Sequence, residues 1–382
     1  MKTIAILQLP SGAAAFARGI PLTWHKAPTE NTAPTPKSKR SKTTRTRTST
    51  AKAISTTVQG KTIYAYKLTS GASKPQSLYY QSLAHAREWV AGSSNLYALS
   101  AILDDIVEKK HTVVNSYNLY FVPIVNIDGY DISWTSSKRL QRKKANEVDL
   151  NHNWPARFDH PEKDNGSSSQ RFPGSGALSE LETKAIELWL KNKNSEISGW
   201  VDVHSYAGKI LYPNGDTEEL IGNDDDQNFK VLGDNVASAA GRKYNGQTAG
   251  SFGVAIGAFD DYIYRTYQKP VLTIEVAGSE FVVPTWTIRT RGEEIYRALT
   301  QFPKEITPFK DGSGGHKDGS GGNKDGSGGN ALKDNTFKGN ALKDNTFKGN
   351  ALKDNTFKGN GHKDNTFKGN GHKDNTFKGN GH

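Results

Sequence analysis

The chain has 382 residues, 50 Lys and Arg against 39 Asp and Glu, a formal net charge of +11, and no cysteine. Without cysteine there is no disulfide, no redox thiol and no thiolate-built zinc site, so any metal must be held by histidine and carboxylate. The basicity sits at the ends: residues 1–58 carry 10 basic and 1 acidic residue, 310–382 carry 13 and 8, and the stretch between is net −3, which argues against a nucleic-acid partner.

Residues 1–17, MKTIAILQLPSGAAAFA, hold one lysine, a short apolar run and a small-residue Ala15-Phe16-Ala17 end, the pattern of a secretory signal, and predict a secreted protein. No stretch approaches the ~18 apolar residues of a membrane span, so no membrane partner is expected. Residues 18–58 are rich in Thr, Ser, Pro and Lys/Arg and read as a disordered linker. Residues 59–307 form the foldable unit. KTIYAYKLT (61–69), SLYYQSL (77–83), NLYFVPIVN (118–126), GWVDVHS (199–205) and PVLTIEVAG (270–278) read as strands, several of them apolar on both faces. Helical patterns intervene over 87–109, 179–193, 227–244 and 288–302; the second begins with Ser179 as N-cap and Glu182 completing a capping box. Alternating strands and helices predict an α/β fold, a mixed and mainly parallel sheet sandwiched by helices, with ligands at the carboxyl ends of strands. Residues 308–382 form a tail in which KDGSGG occurs three times and ten-residue units containing KDNTFKGN five times. One phenylalanine per ten residues cannot offset chain entropy, so the tail is expected to be disordered, with no partner assigned to it.

Three features fall at strand ends. His85 and Glu88 make an H-x-x-E pair just past the 77–83 strand, His204 lies in GWVDVHS, and Glu275 lies in PVLTIEVAG. An imidazole and a carboxylate about one turn apart can grip one ion, and a distant histidine as third ligand leaves the fourth zinc position open, as in catalytic sites. The alternatives are a satisfied core histidine for His204 and a buried, arginine-paired carboxylate for Glu275. Residues 149–154, DLNHNW, put His152 between two asparagines before Pro155, on composition alone a capped turn.

HAREWV, NIDGYD (126–131), RLQRKKANEVDLNHNW (139–154), FPGSGALSELET (172–183), VDVHSYAGKILYP (201–213) and TIEVAG (273–278) stand in the order found in zinc carboxypeptidases of the A/B type, and the chain resembles that family over about residues 59–307. The resemblance implies one zinc ion per chain held by His85, Glu88 and His204, with Glu275 as general base and proton shuttle and Arg142 polarising the scissile carbonyl. It implies Asn151 and the residue after it, His152, as the pair that holds a substrate's terminal carboxylate, and Arg87 and Tyr206 as residues contacting the peptide. The implied activity is hydrolysis of the C-terminal bond of peptides or proteins by a monomer. A catalytically inactive binding relative and a structural surface protein defined by its tail are the rival readings.

The chain departs from the family pattern in four places. The linker occupies the space of an expected leading helix and strand, which predicts a shortened domain with an uncovered sheet edge or helix-packing surface. Gly253, or Phe252 after a one-residue shift, stands where the family has a substrate-capping tyrosine, leaving Tyr244 and Tyr262 as candidates to supply the hydroxyl. Asp260 stands at the floor of the specificity pocket, predicting attraction of C-terminal Lys or Arg. His152 replaces an arginine, which predicts carboxylate recognition that improves as the ring protonates between pH 8 and 6.

Overall fold

The structure, a computed structural model, describes residues 49–160, 164 and 166–309, together with five short segments of the tail. The signal at 1–17, most of the linker and most of the tail therefore lie outside the described residues.

An eight-stranded sheet organises the chain, with strands β1 (Ser49–Thr56), β2 (Thr62–Leu68), β3 (Ser77–Ser82), β4 (Asn118–Val122), β5 (Ile197–Ser205), β6 (Lys209–Tyr212), β7 (Asn245–Thr248) and β8 (Val271–Val276). Their spatial order is β1-β2-β4-β3-β5-β8-β6-β7. The central β4, β3, β5 and β8 are mutually parallel, whereas β1–β2, β2–β4 and β6–β8 are antiparallel. Successive residues of a strand face opposite sides of a sheet. In β3, Tyr79 meets Trp189 and Phe259, while Tyr80 donates its hydroxyl to the Leu299 carbonyl at 3.0 Å. Helices α3 (Leu181–Lys193) and α6 (Phe259–Tyr267) therefore cover one face, and α7 (Thr287–Glu305) covers the other. Burial on both sides explains why the central strands are apolar throughout rather than alternating. Helix α1 (Trp89–Val107) lies tight against α7: a Cβ on Gly292 would fall 2.3 Å from the Tyr97 ring. The remaining helices are α2 (Ile127–Ser133), α4 (Asp225–Ala240) and the four-residue α5 (Ala249–Phe252).

Two expectations are corrected here. Residues 49–56, assigned to the linker by composition, form β1, which pairs along β2 from Ser49↔Leu68 to Thr56↔Thr62. The edge of β2 is thus covered. An edge strand needs backbone partners more than apolar side chains, and β1 adds only Ile54 to the core and a Ser55 hydroxyl bond to the Leu181 carbonyl. The capping box at 179–182 does not form either. The N-cap is Glu180, Ser179 donates to Glu180 Oε1, and Glu182 turns inward to the fully buried Lys144, which it shares with Glu180 at 2.5 and 2.8 Å. A buried ammonium needs charge partners more than a helix end needs a cap, so the ion triad takes the side chain.

The tail is a separate unit, 316–382. Its described segments are the strands β9 (Thr336–Lys338), β10 (Thr346–Asn350), β11 (Asn355–Lys358), β12 (Thr366–Asn370) and β13 (Asn375–Lys378), each built on the Thr-Phe-Lys of a repeat. They pair in parallel register with the unit two repeats away, Thr346 with Thr366 and Thr336 with Thr356. The expectation of a disordered tail otherwise falls on residues outside the described ones.

Candidate active site

Parallel pairing of β5 with β8 places His204 beside Glu275 in register, at the carboxyl ends of both strands. The neighbouring β3 ends at Ser82, and the chain runs from there through His85 and Glu88 into α1. Three strand ends thus deliver four polar side chains to one end of the sheet. His85 Nδ1 lies 2.8 Å from Glu88 Oε1, and His204 Nδ1 lies 3.1 Å from Glu88 Oε2 and 3.0 Å from His85 Nδ1. All three residues are buried, and their ligand atoms lie within 4.8 Å of one another, so they could hold a metal ion. Two imidazole nitrogens and a carboxylate aimed at one point carry more lone pairs than protons, an arrangement that one shared cation satisfies. Among the described residues this is the one such group of His, Asp and Glu.

Each imidazole is backed by a carboxylate. His85 Nε2 lies 3.1 Å from Asp149 Oδ1, a carboxylate that would hold the proton on Nε2 and leave the Nδ1 lone pair for a bound metal. Asp202 Oδ2 lies 3.0 Å from His204 Nε2, at ion-pair distance but outside hydrogen-bond alignment, and is held by Gln81 Nε2 at 2.8 Å. Burial opposes a charged His204 ring, but Asp202 and Glu88 outweigh it and hold the pKa well above the usual imidazole range. Burial likewise acts to raise Glu88, and the two histidines override it and pull the carboxyl down.

Glu275 has no hydrogen-bond partner for its solvent-sealed Oε2, and burial, reinforced by the Glu88 charge, raises its pKa to about 7. Arg142 donates from Nε to Asp149 Oδ2 at 2.8 Å and reaches His85 Nδ1 at 3.3 Å from its terminal nitrogen. Burial disfavours its charge, but Asp149 and Glu88 more than compensate, so its pKa is raised. Asp149 is held well below the usual carboxylate range because Arg142, His85 and His152 outweigh its complete burial. The sequence reading missed Asp149 and Asp202; Asp149 could have been found two residues before Asn151 in DLNHNW.

A cleft of about 430 Å³ opens over this cluster, lined by Arg87, Arg142, Asn151, His152, Tyr206, Asp260 and Glu275 among others, so all ten candidate residues come together. Arg87 stacks on Phe281 with 4.2 Å to the ring centroid, and Tyr206 packs on the same ring at 4.8 Å. Asn151 spends its Oδ1 on the Phe259 N–H at 3.2 Å. Asp260 accepts from the Asp261 N–H at 2.9 Å and from the Thr273 hydroxyl at 3.0 Å, and burial raises its pKa.

Two expectations fail at the substrate end. His152 Nδ1 lies 2.7 Å from the Ile256 carbonyl, which can only accept, so that nitrogen carries the proton. The ring is buried, and this desolvation outweighs Asp149 and lowers its pKa to about 4. Without a ligand it is therefore neutral between pH 8 and 6, and its one N–H is already spent on that carbonyl. Neither tyrosine candidate is available to replace the capping hydroxyl. Tyr244 donates to Glu294 and accepts from Ala277 N–H, and Tyr262 donates to Glu187. Phe252, 45% exposed, lines the cleft.

Residues 39–298 match the Peptidase_M14 zinc carboxypeptidase family, and the chain belongs to it. It is 29% identical over 262 residues to carboxypeptidase B of Bos taurus, covering 65% of this chain and 63% of that protein. With carboxypeptidase A1 of Homo sapiens it shares 26% over 261 residues, 64% of this chain and 62% of that one. The chain thus spans a little under two thirds of the length of these relatives. Among solved structures, bovine thrombin-activatable fibrinolysis inhibitor in complex with tick carboxypeptidase inhibitor superposes with a TM-score of 0.63 at 22% identity, over 69% of this chain and 91% of that one. Carboxypeptidase A of Helicoverpa armigera gives 0.61 at 21%, over 68% of each chain. The expected mixed, mainly parallel α/β sandwich is thereby borne out.

Proposed function

We propose that this chain is a zinc-dependent carboxypeptidase that removes the C-terminal residue of peptides or proteins. The observation that carries the reading is the register of β5 on β8, which sets a buried, unpartnered Glu275 carboxylate oxygen beside three convergent metal-ligand atoms. Zinc held by His85, Glu88 and His204, one ion per chain, supplies Lewis-acid charge and lowers the pKa of water toward neutrality. Glu275 takes the proton released by the attacking water and passes it to the leaving amine, the work of a general base and then a general acid. Arg142, pinned by Asp149, holds a fixed positive charge where the scissile carbonyl develops its oxyanion, a contribution of ~3–4 kcal/mol by analogy with one oxyanion-hole donor. Tyr206 and Arg87, braced on Phe281, contact the peptide leading into the cleft, and Asn151 offers its side-chain amide to the terminal residue. Asp260 on the pocket side selects the departing side chain. The apolar N-terminal segment read as a signal accords with secretion and a peptide substrate outside the cell.

Glu275→Gln tests this reading because it keeps the shape and removes the proton acceptor. With zinc stoichiometry unchanged by elemental analysis, kcat on a blocked dipeptide should fall by ~10²–10⁴. A variant that retains a third of wild-type kcat, or a wild-type protein that binds zinc and hydrolyses nothing, sinks it; the second outcome leaves a peptide-binding relative.

A further inference from the structure

A second cavity of about 260 Å³ adjoins the cleft, and the two share His152 and Arg171 in their walls. We propose that Arg171 is the cation that anchors the α-carboxylate of the substrate's C-terminal residue, acting from this seam beside the neutral His152. The inference rests on the carboxypeptidase reading and adds to it a residue that the sequence motifs leave out.

A terminal carboxylate carries a full charge into a cleft that strips much of its water, so a positive partner is required. Besides the two metal-ligand histidines, four basic side chains line the cleft: Arg87, Arg142, His152 and Arg171. His152 is neutral, and its one N–H is spent on the Ile256 carbonyl. Arg142 is bound to Asp149 and turned toward His85, at the reacting end. Arg87 sits over Phe281, which Tyr206 also packs against, and one of its terminal nitrogens donates to Gln170 Oε1 at 3.4 Å. Arg171 follows Gln170 in the chain. It donates from one terminal nitrogen to the Val254 carbonyl at 3.1 Å, which ties it to the stretch whose Ala255 and Ala258 line the cleft next to Asp260.

That placement matters because a residue's carboxylate and side chain leave the same carbon. The anchor should therefore lie beside the stretch that carries the side-chain pocket, and Arg171 is bonded to that stretch at Val254 whereas Arg87 is held by Phe281 and Gln170. Arg171 is exposed, and among the described residues no carboxylate lies within ion-pair distance of it. Asp164 lines the smaller cavity with it and feels its charge, but that carboxylate is held chiefly by the Ser169 hydroxyl and the Gly166 N–H. Most of the five guanidinium donors thus remain for a ligand, in the planar fork that fits two carboxylate oxygens.

The experiment compares the zinc-loaded full chain with Arg171→Ala and Arg171→Lys. Kd is measured by calorimetry for an N-acetyl amino acid and for its amide, and KM and kcat for an N-blocked dipeptide. Arg171→Ala should weaken acid binding and raise KM at least tenfold, leave the amide Kd unchanged and move kcat less than threefold. Lys should recover part of the loss, and millimolar guanidinium ion should restore acid binding to the Ala variant, which no loss of loop structure would allow. An unchanged acid Kd in Arg171→Ala, or an equal fall for acid and amide, overturns the assignment. Absence of zinc-dependent hydrolysis by the wild type would count against the peptidase reading instead, since the acid-over-amide comparison is made at equilibrium.

Discussion

The two ends of the cleft are built on different principles. At the reacting end, His85, Glu88, His204, Asp149, Asp202 and Arg142 are each held by at least one charged partner, and Glu275 keeps a buried oxygen free beside the three ligand atoms. At the substrate end the corresponding groups are a neutral His152, an Asp260 tied to a backbone N–H and a hydroxyl, and an exposed Arg171 on a loop. Chemistry depends on fixed dipoles and charges, because reorganising them during the reaction raises the barrier. Recognition tolerates a looser arrangement, since each contact shifts affinity alone. The difference teaches where substitutions should be catastrophic and where they should be graded.

The largest expected effect lies at the reacting end. His204→Ala removes one of three convergent ligands and leaves Asp202 buried without its cation. Zinc affinity, measured by competition with a chelator, should fall more than ~100-fold, beyond the 10–100-fold that loss of a mere supporting contact produces. Activity should be lost with the metal. Stoichiometric zinc and full turnover in this variant would break the contrast between the two ends.

A middle-sized effect is expected at Asp260. Burial raises its pKa, so the carboxyl resists ionising until a cation faces it. A C-terminal Lys or Arg side chain would supply that cation, and Asp260→Asn should lower kcat/KM for such substrates by ~10–100-fold relative to Phe, about 1.4–2.7 kcal/mol. The rival is that Asp260 serves only the start of α6 through the Asp261 N–H. Under that reading the Lys-to-Phe ratio stays where it was while thermal stability drops.

The same contrast governs what could be read from the sequence. The reacting end is legible because its residues lie in strands whose pattern is set by burial on both faces, so GWVDVHS and PVLTIEVAG locate His204 and Glu275 before any register is known. The pairing of β5 with β8 that makes them neighbours is a long-range fact absent from either segment. Asp149 and Asp202 escaped notice because a supporting carboxylate has no spacing rule relative to the histidine it backs. β1 escaped because STAKAIST looks like linker until β2 is beside it. The capping box at Ser179 failed because a local pattern cannot register that Lys144, 35 residues earlier than Ser179 in the chain, arrives buried and takes Glu182. Arg171 follows four small or polar residues in a loop, where local propensity says nothing about which cavity an arginine will border.

The effect at His152 falls on stability rather than on turnover, because burial gives the ring a pH-dependent contribution to folding. In the folded chain its pKa is about 4, against an ordinary 6.5 once unfolded. Above pH 6.5 the ring is neutral in both states and contributes no slope. Between 6.5 and 4 the unfolded chain binds a proton that the folded chain refuses, so stability must fall as pH falls, by up to ~1.4 kcal/mol per pH unit. Other buried groups titrate in the same window, so the quantity of interest is a difference between variants. His152→Asn keeps an N–H donor within the chemistry of the Ile256 contact and removes the titration. Urea midpoints for both proteins, taken in chelator at pH 6.5, 5.5 and 4.5 to exclude metal linkage, should diverge: the wild type loses stability more steeply, and the variant gains on it toward pH 4.5. Parallel lines would mean that the ring is protonated in the fold at pH 5, free to grip a carboxylate as the arginine it replaces would.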